Sequence, residues 1–434
     1  MHHEASPSGE DGKAAGVALG AHAAPPATLI SVPAEPWLGP VRTAAEIDAA
    51  TERLAAGTGP VAADAERASG YRYSQRAYLV QLRRAGVPTV LIDPIEVGEL
   101  DAVQRALGGL EWVLHAASQD LPCLRELHLR PARLFDTELA GRLLGMERVS
   151  LVTMLETFCG VTLEKGHSAA DWSTRPLPAE WLVYAALDVE FLLPLRDAVA
   201  ARLERDGKTE WARQEFAAEL AAPPNPARTD PWRRTSGIHM ARSRRQLAGV
   251  RALWRARDEL AAARDVAPGR ILPDSAMVAA VRANPATAAD LVRLPVFRGP
   301  RQRRHAARWF AALAHARSLP EAELPMPSGH GDGEGYPPTA RWREREPDAA
   351  ERLASIRATV AELSETYSVQ SQNLLAGEIV RRLAWSPPPA NPDEVAAAMA
   401  ALGARPWQIE LCAAPVSAAL TRAAATGAPD MVPR

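Results

Sequence analysis

Between residues 37 and 220 the apolar positions change their period several times. Pro60-Val61-Ala62-Ala63-Asp64 is a short apolar run that ends on an acid. Ala77-Tyr78-Leu79-Val80-Gln81-Leu82 and Thr89-Val90-Leu91-Ile92-Asp93 are two more runs of strand length, separated by the turn signal Ala85-Gly86. A helix is expected over 97–107, and Trp112-Val113-Leu114-His115 then reads as a fourth strand. After Asp136 the pattern turns helical as far as about Leu220. Three adjacent strands followed by strand–helix alternation predict a mixed sheet flanked by helices.

The C-terminal half is helical and punctuated. Ala221-Ala222-Pro223-Pro224-Asn225-Pro226 opens a linker over 221–236, and a helical region spans 237–319. A second linker, 320–345, carries Gly329, Gly331, Gly333 and Gly335, and 346–428 is helical again. The two helical regions resemble each other. Leu247-Ala248-Gly249-Val250-Arg251 parallels Leu353-Ala354-Ser355-Ile356-Arg357, and Ile271-Leu272-Pro273 through Val281 parallels Asn373-Leu374-Leu375 through Leu383. Each stretch ends at a proline break, Pro285 or Pro387, so a duplicated helical domain is expected. Residues 1–36, rich in Ala, Gly, Pro and His, read as a disordered tail.

Composition adds limits. A chain of 434 residues has room for two or three domains. No apolar run approaches the roughly 20 residues that span a bilayer, and the start of the chain lacks a compact secretory stretch. Three scattered cysteines (Cys123, Cys159, Cys412) form neither a disulfide framework nor a zinc site, so a cytoplasmic location and no membrane partner are expected. The formal net charge is only −2, but its distribution is uneven. Between Arg228 and Arg317 there are 19 arginines and six acids, an excess of 13 positive charges that leaves −15 on the rest of the chain. The chain has three lysines; coding bias explains that choice of arginine but not a local surplus of charge. A basic module tethered to an acidic one follows.

Three acidic clusters carry candidate chemistry. In Asp64-Ala65-Glu66, at the end of a strand, residues i and i+2 share one face, so both carboxylates can reach one ion. In His115-Ala116-Ala117-Ser118-Gln119-Asp120-Leu121 the acid opens a helix, where by itself it need only be a dipole partner. In Tyr184-Ala185-Ala186-Leu187-Asp188 a phenol and a carboxylate lie four apart on one helix face, a pair any amphipathic helix can carry. Four carboxylates without a soft ligand favour Mg²⁺ or Mn²⁺ over Zn²⁺.

Taken together in this order and spacing, the clusters resemble the motifs of the DEDD exonuclease superfamily, tyrosine subgroup. Tyr71 to Leu82 looks like the hairpin after the first motif, and His115 to Leu121 is similar to the second motif of ribonuclease D. Asp171-Trp172-Ser173-Thr174-Arg175-Pro176-Leu177 followed by Tyr184 to Val189 resembles the third. The resemblance implies an α/β ribonuclease H-like nuclease domain over 37–220 that acts as a metal-dependent 3′-to-5′ exoribonuclease. It implies two ions about 3.5–4 Å apart, a spacing that clamps both sides of an in-line phosphoryl displacement. Asp64 would bridge them, Glu66 and Asp188 would complete the ion that activates water, and Asp120 would hold the second near the leaving 3′ oxygen. Tyr184 would orient the nucleophilic water, and the product would be a nucleoside 5′-monophosphate. No nucleotide cofactor is called for; the partner is RNA with a free 3′ end, such as a transfer-RNA precursor. Two positions depart from the family: Ala65, expected to point away from the ions, and Arg67, a charge where an aromatic is usual.

Residues 237–319 resemble the helicase-and-ribonuclease-D C-terminal (HRDC) domain, through Leu253-Trp254-Arg255-Ala256-Arg257-Asp258, Pro268 to Asp274, and Leu294. This module is expected to capture RNA, with Arg298, Arg301, Arg303 and Arg304 as phosphate contacts. The second, HRDC-like repeat carries six arginines against nine acids over 346–425, so docking against the rest of the chain, or against a protein partner, is expected of it. His115 reads as a hydrogen-bonded core histidine. Arg76, Lys165 and Arg175 read as solvated charges before phosphate contacts, and Trp181, Trp211, Trp254 and Trp309 as packing. A DNA 3′-to-5′ exonuclease remains the alternative, because these motifs do not read the 2′-OH. A catalytically silent RNA-binding protein would have been free to lose one of the five residues.

Overall fold

The computed structural model describes residues 27–164, 166–224, 228–297, 299–327 and 336–426. Among the described residues there are eight strands: β1 (Thr28–Ile30), β2 (Leu38–Val41), β3 (Thr58–Arg67), β4 (Ala77–Ala85), β5 (Val87–Ile92), β6 (Glu111–Leu114), β7 (Arg133–Asp136) and β8 (Val161–Leu163). Six form one mixed sheet in the order β2-β5-β4-β3-β6-β7. β3, β4 and β5 pair antiparallel, while β2, β6 and β7 join in parallel. Helices flank the sheet, as the periodicity predicts.

The alternation along β3 decides where the acids go. Ala63 and Ala65 point into the main core with Val80 and Leu82, so Asp64 and Glu66 project from the other face. On that face Leu79 of β4 packs against Ala185 of helix Ala179–Glu190, which brings the helix over the acids.

Several elements differ from the sequence reading. The helix over 97–107 breaks into Pro94–Val97 and Asp101–Leu107, because Gly98 takes a left-handed φ of 81°. β2 contains Gly39-Pro40, and a proline is tolerated because β2 is the edge of the sheet. β7, β1 and β8 are four, three and three residues long, too short for a period to show. β1 and its pairing with β8 fall inside the stretch read as disordered tail, and Ala34 N donates to Glu190 Oε1 at 2.8 Å. Residues 1–26 lie outside the described residues, as do the four linker glycines Gly329 to Gly335.

The two helical modules share one plan: a helix of 21 residues, a single turn, then further helices. The long helices end on left-handed residues, Asp265 (φ 47°) and Ser368 (φ 50°), and the single turns on extended ones, Leu272 (φ −147°) and Leu375 (φ −150°), both pairs 103 residues apart. At that offset Leu253 corresponds to Ile356, so pairing Leu247 with Leu353 from sequence is one helical turn out of register. The first module has its own core, built on Trp232, Leu253, Phe297 and Trp309; Trp232 belongs to it although it lies in the stretch read as linker. The second shares the core of the nuclease.

Candidate active site

β3 and helix Ala179–Glu190 bring Asp64, Glu66 and Asp188 together, with one carboxylate oxygen of each within 4.8 Å of the others. Asp120 sits at the junction of a 3-10 turn, Ala117–Gln119, and helix Leu121–Glu126, where it is buried. Tyr184, one turn before Asp188, directs its hydroxyl at that carboxylate. All five line one cleft of about 630 Å³.

Electrostatics explains what such a cluster needs. Burial pushes Glu66, Asp120 and Asp188 well above the usual carboxylate range, and the charge on Asp64 raises each of them further. Asp64 is raised too, by burial. Burial, then the charges on Asp188 and Glu66, push the Tyr184 phenol up, so it stays protonated as a donor. The guanidinium of Arg67 reaches Asp120 at 3.3 Å. Buried, mutually repelling oxygen donors on rigid elements suit a hard divalent cation, and the set contains no thiolate or imidazole.

Supports absent from the sequence reading hold this geometry. Ala116 adopts a left-handed conformation, and the N–H groups of Ala116 (3.1 Å) and Ala117 (2.7 Å) both donate to the Asp136 carboxylate. Asp136 also caps helix Thr137–Leu143. Ser118 N donates to Glu219 of helix Thr209–Ala221 at 3.1 Å. Two acids from outside the motifs therefore fix the loop that carries Asp120. The ring of Tyr184 packs on Gly166, where a Cβ would lie 2.4 Å from Cδ2. No sequence signal singles out Asp136, Glu219 or Gly166.

The remaining residues sort as follows. Ala65 points into the core, away from the acids. Arg67 pairs with Asp120 in the place expected of a substrate-facing group. His115 is hydrogen-bonded through Nδ1 to Thr137 Oγ1 (2.9 Å), although it also lines the cleft. Arg175 is no solvated charge: it pairs with buried Asp93 at 2.7 Å and donates to Tyr78 O, clamping the third-motif segment to the sheet. Arg76 lies 3.9 Å from Asp265 of the first helical module. Trp309 is fully buried, and Trp211 stacks on Trp407. Arg303 and Arg304 are exposed. Arg298 and Lys165 lie outside the described residues, as does the side chain of Arg301. Among the described residues no helix is long and apolar enough to cross a membrane.

A four-carboxylate cleft with a neighbouring tyrosine on a mixed sheet is the arrangement of a 3′-5′ exonuclease, and residues 39–204 match the family of that description. Residues 246–313 match the HRDC domain, and 335–420 match the 3′ to 5′ exonuclease C-terminal domain. The chain is 31% identical to ribonuclease D of Acidiphilium cryptum over 280 residues, 63% of this chain and 67% of that protein. It is 30% identical to ribonuclease D of Granulibacter bethesdensis over 304 residues, 69% and 72% of the two. The chain belongs to the ribonuclease D family of 3′-to-5′ exoribonucleases. Its fold is similar to a solved protein from Bifidobacterium adolescentis (TM-score 0.82, 37% identity, 91% of this chain and 100% of that one). It also shares the fold of Escherichia coli RNase D (TM-score 0.64, 24% identity, 89% and 98%).

Proposed function

We propose that the chain shortens RNA from its 3′ end by two-metal-ion hydrolysis, releasing nucleoside 5′-monophosphates, in the maturation of transfer RNA or another stable RNA. The convergence of Asp64, Glu66 and Asp188 within 4.8 Å, beside Asp120 and Tyr184, carries this reading. Mg²⁺ or Mn²⁺ held there would supply Lewis acidity to the scissile phosphate and to the attacking water. Asp64, Glu66 and Asp188 would hold one ion, and Asp120 with Asp64 the other. The Tyr184 hydroxyl, kept protonated by burial and by Asp188, would orient the water. With an ion held at Asp120, the Arg67 guanidinium, now 3.3 Å from that carboxylate, would be free to turn toward the substrate phosphate. The cleft admits a strand end, and its rigid supports keep the acids in place before substrate arrives.

The test compares a 3′-extended transfer-RNA precursor with DNA of the same sequence, with and without Mg²⁺ or Mn²⁺. Stepwise release of 5′-monophosphates from RNA, abolished by a chelator, is the expected result. Preferential digestion of the DNA would assign the chain to the deoxyribonucleases of the superfamily. Binding without hydrolysis would make it a silent RNA-binding protein.

A further inference from the structure

Where the loop after β3 meets the first helical module there is a second cavity, of about 300 Å³, distinct from the carboxylate cleft. Tyr71, Arg72 and Asp171 form its nuclease wall; Arg264, Arg270, Arg304 and His305 form the wall of the module. The junction is held by hydrogen bonds between the two walls. Ala267 N donates to Tyr71 O at 2.9 Å, and Arg270 Nε to Gly70 O at 2.7 Å. Ser74 N donates to Asp265 at 2.8 Å. The cavity is therefore built from two domains in a fixed relation.

Its charge is unbalanced. Arg72 is held by Ser173 Oγ (2.8 Å), Arg270 by the Gly70 carbonyl, and Arg264 contacts His305 (3.3 Å). Those partners are neutral and leave each guanidinium its charge. Asp171, the one acid in the lining, already accepts from Ser173 Oγ and N. Among the described residues no carboxylate lies within 4.0 Å of the Arg72, Arg264, Arg270 or Arg304 guanidinium, although Asp265, bonded to Ser74 N at the junction, feels the charge of Arg72 as well as that of Arg76. The effect shows on His305, whose imidazolium is disfavoured by burial and by Arg264, Arg304 and Arg308. Four like charges in one concavity favour an anion. The Arg270 guanidinium carbon also lies over the Tyr71 ring, 3.8 Å from its centroid, and Nε is held by the Gly70 carbonyl, so the group is fixed in place with its terminal nitrogens left to other partners. Such an edge suits a phosphate.

The cavity lies close to the acids. Tyr71 follows Glu66 by five residues, so the two Cα atoms are at most about 18 Å apart. Asp171 precedes Trp172, whose ring centroid is 6.4 Å from that of Tyr184. We infer that this cavity holds a backbone phosphate of the substrate strand a few nucleotides upstream of the scissile bond, so that nuclease and first helical module form one continuous track. The inference rests on the exoribonuclease reading above. It also relocates the RNA contact of the module: of the four arginines expected from sequence, Arg304 reaches this cavity, and its partners Arg72, Arg264 and Arg270 come from three other segments.

The test uses the full chain carrying Arg264→Gln and Arg270→Gln, with Mn²⁺ and two oligoadenylates, a dinucleotide too short to bridge both sites and a dodecanucleotide. The KM for the long substrate should rise about tenfold, the value of one charged hydrogen bond, with kcat held. The salt slope of its binding should flatten by about 0.7 for each phosphate no longer neutralised. The KM for the dinucleotide should move less than twofold, and the double lysine variant, which keeps the charge but not the planar edge, should restore the salt slope and recover only part of the KM loss. An unchanged KM and salt slope for the long RNA would overturn the inference. So would equal losses on both substrates, which would mean a packing defect, or inhibition by adenosine monophosphate that the glutamine variant relieves, which would make the cavity a mononucleotide site. If the parent chain hydrolyses neither RNA, the exoribonuclease reading fails instead. The single Arg264→Gln variant, at an exposed position, repeats the measurement should the double variant not fold.

Discussion

The first helical module, with its 19 arginines against six acids, encloses its own core and meets the nuclease through hydrogen bonds to the loop after β3 and to Tyr78 of β4. The second has the same helical plan, carries six arginines against nine acids over 346–425, and shares its core with the nuclease, to whose Glu215 its Arg405 pairs at 3.1 Å. Trp407 stacks on Trp211 at 4.8 Å and donates from Nε1 to Glu215, while Lys208 Nζ donates to the carbonyls of Leu143 and Ser368. One architecture thus serves two ends, and the outer face of its helices decides which. An apolar outer face joins a neighbour permanently, whereas a charged one stays open to a ligand.

The largest test of this comparison is removal of each contribution. By its charge alone, the acidic second module could be cut off after Gly329 with RNA affinity unchanged; the shared core says otherwise, because the cut bares the surface around Trp211. The truncated chain should be insoluble or unfold without cooperativity. Trp407→Ala, at a position 1% exposed, should cost about 3–5 kcal/mol and lower the melting of nuclease and second module together. Trp309→Ala, also fully buried, should loosen the first module alone and leave the nuclease transition in place. Calorimetry separates the two, and a truncated chain melting at the parent temperature would break the comparison.

The next effect belongs to the nuclease alone. Asp64→Asn or Asp188→Asn should reduce turnover by about 10³-fold or more while both modules stay folded. Stability without metal should hold or rise, since burial raises both carboxyls, the charge on Asp64 raises Asp188 further, and one buried charge fewer relieves the cluster. Substantial Mn²⁺-dependent activity in the folded double variant would sink the two-ion reading. Tyr184→Phe should slow single turnover by about 10²-fold with little change in RNA affinity. Gly166→Ala should act in the same direction by displacing the ring. A large affinity loss at an unchanged rate would make Tyr184 a substrate contact.

How much of this could be read from the chain depends on the range of the interaction. The i, i+2 alternation at Asp64 and Glu66 and the i, i+4 step from Tyr184 to Asp188 are local, so one face of one element brings each pair together. The loop with Asp120 was legible as a motif, but its two anchors were not. Asp136 and Glu219 lie in other elements, and only the folded chain shows their carboxylates on the N–H groups of Ala116, Ala117 and Ser118. Arg67 was visible as a departure, yet its pairing with Asp120 depends on the end of β3 meeting the second-motif loop. Likewise, charge counting located a basic module but not the cavity, whose arginines come from four segments.

A smaller effect distinguishes direct capture by the first module from the structural role of the second. Replacing Arg301, Arg303 and Arg304 by Ala should weaken RNA binding severalfold and flatten its salt slope by up to about 0.7 for each phosphate released. Trp407→Lys, where it folds, should leave that slope unchanged. Binding titrations across a salt series give both values, and a slope that follows Trp407 and ignores the arginines would reverse the roles.

The smallest effect concerns a link that only the second module has to the active-site loop. Helix Thr209–Ala221 offers Trp211, Gln214 and Glu215 to Trp407 on one side and Glu219 to Ser118 N on the other. Burial and the charge of Asp136 raise the Glu219 carboxyl from an ordinary 4.5 to about 8. Between those values the folded protein keeps a proton that the unfolded chain has released. The contribution to stability is therefore complete below about pH 4.5 and is lost as pH rises through about 8. Glu219→Gln cannot ionise and retains an amide donor for Asp136, so its melting temperature should pull ahead of the parent across that window. Discounting for the exposed part of the side chain, the gap should reach roughly 1 kcal/mol, or about 2–4 °C. The gap should persist in Trp309→Ala, whose first module is loosened, and shrink in Trp407→Ala, where the helix has lost its outer support. Parallel melting curves for parent and Glu219→Gln from acid to alkaline pH would show that this helix does not hold the Asp120 loop by a shared proton.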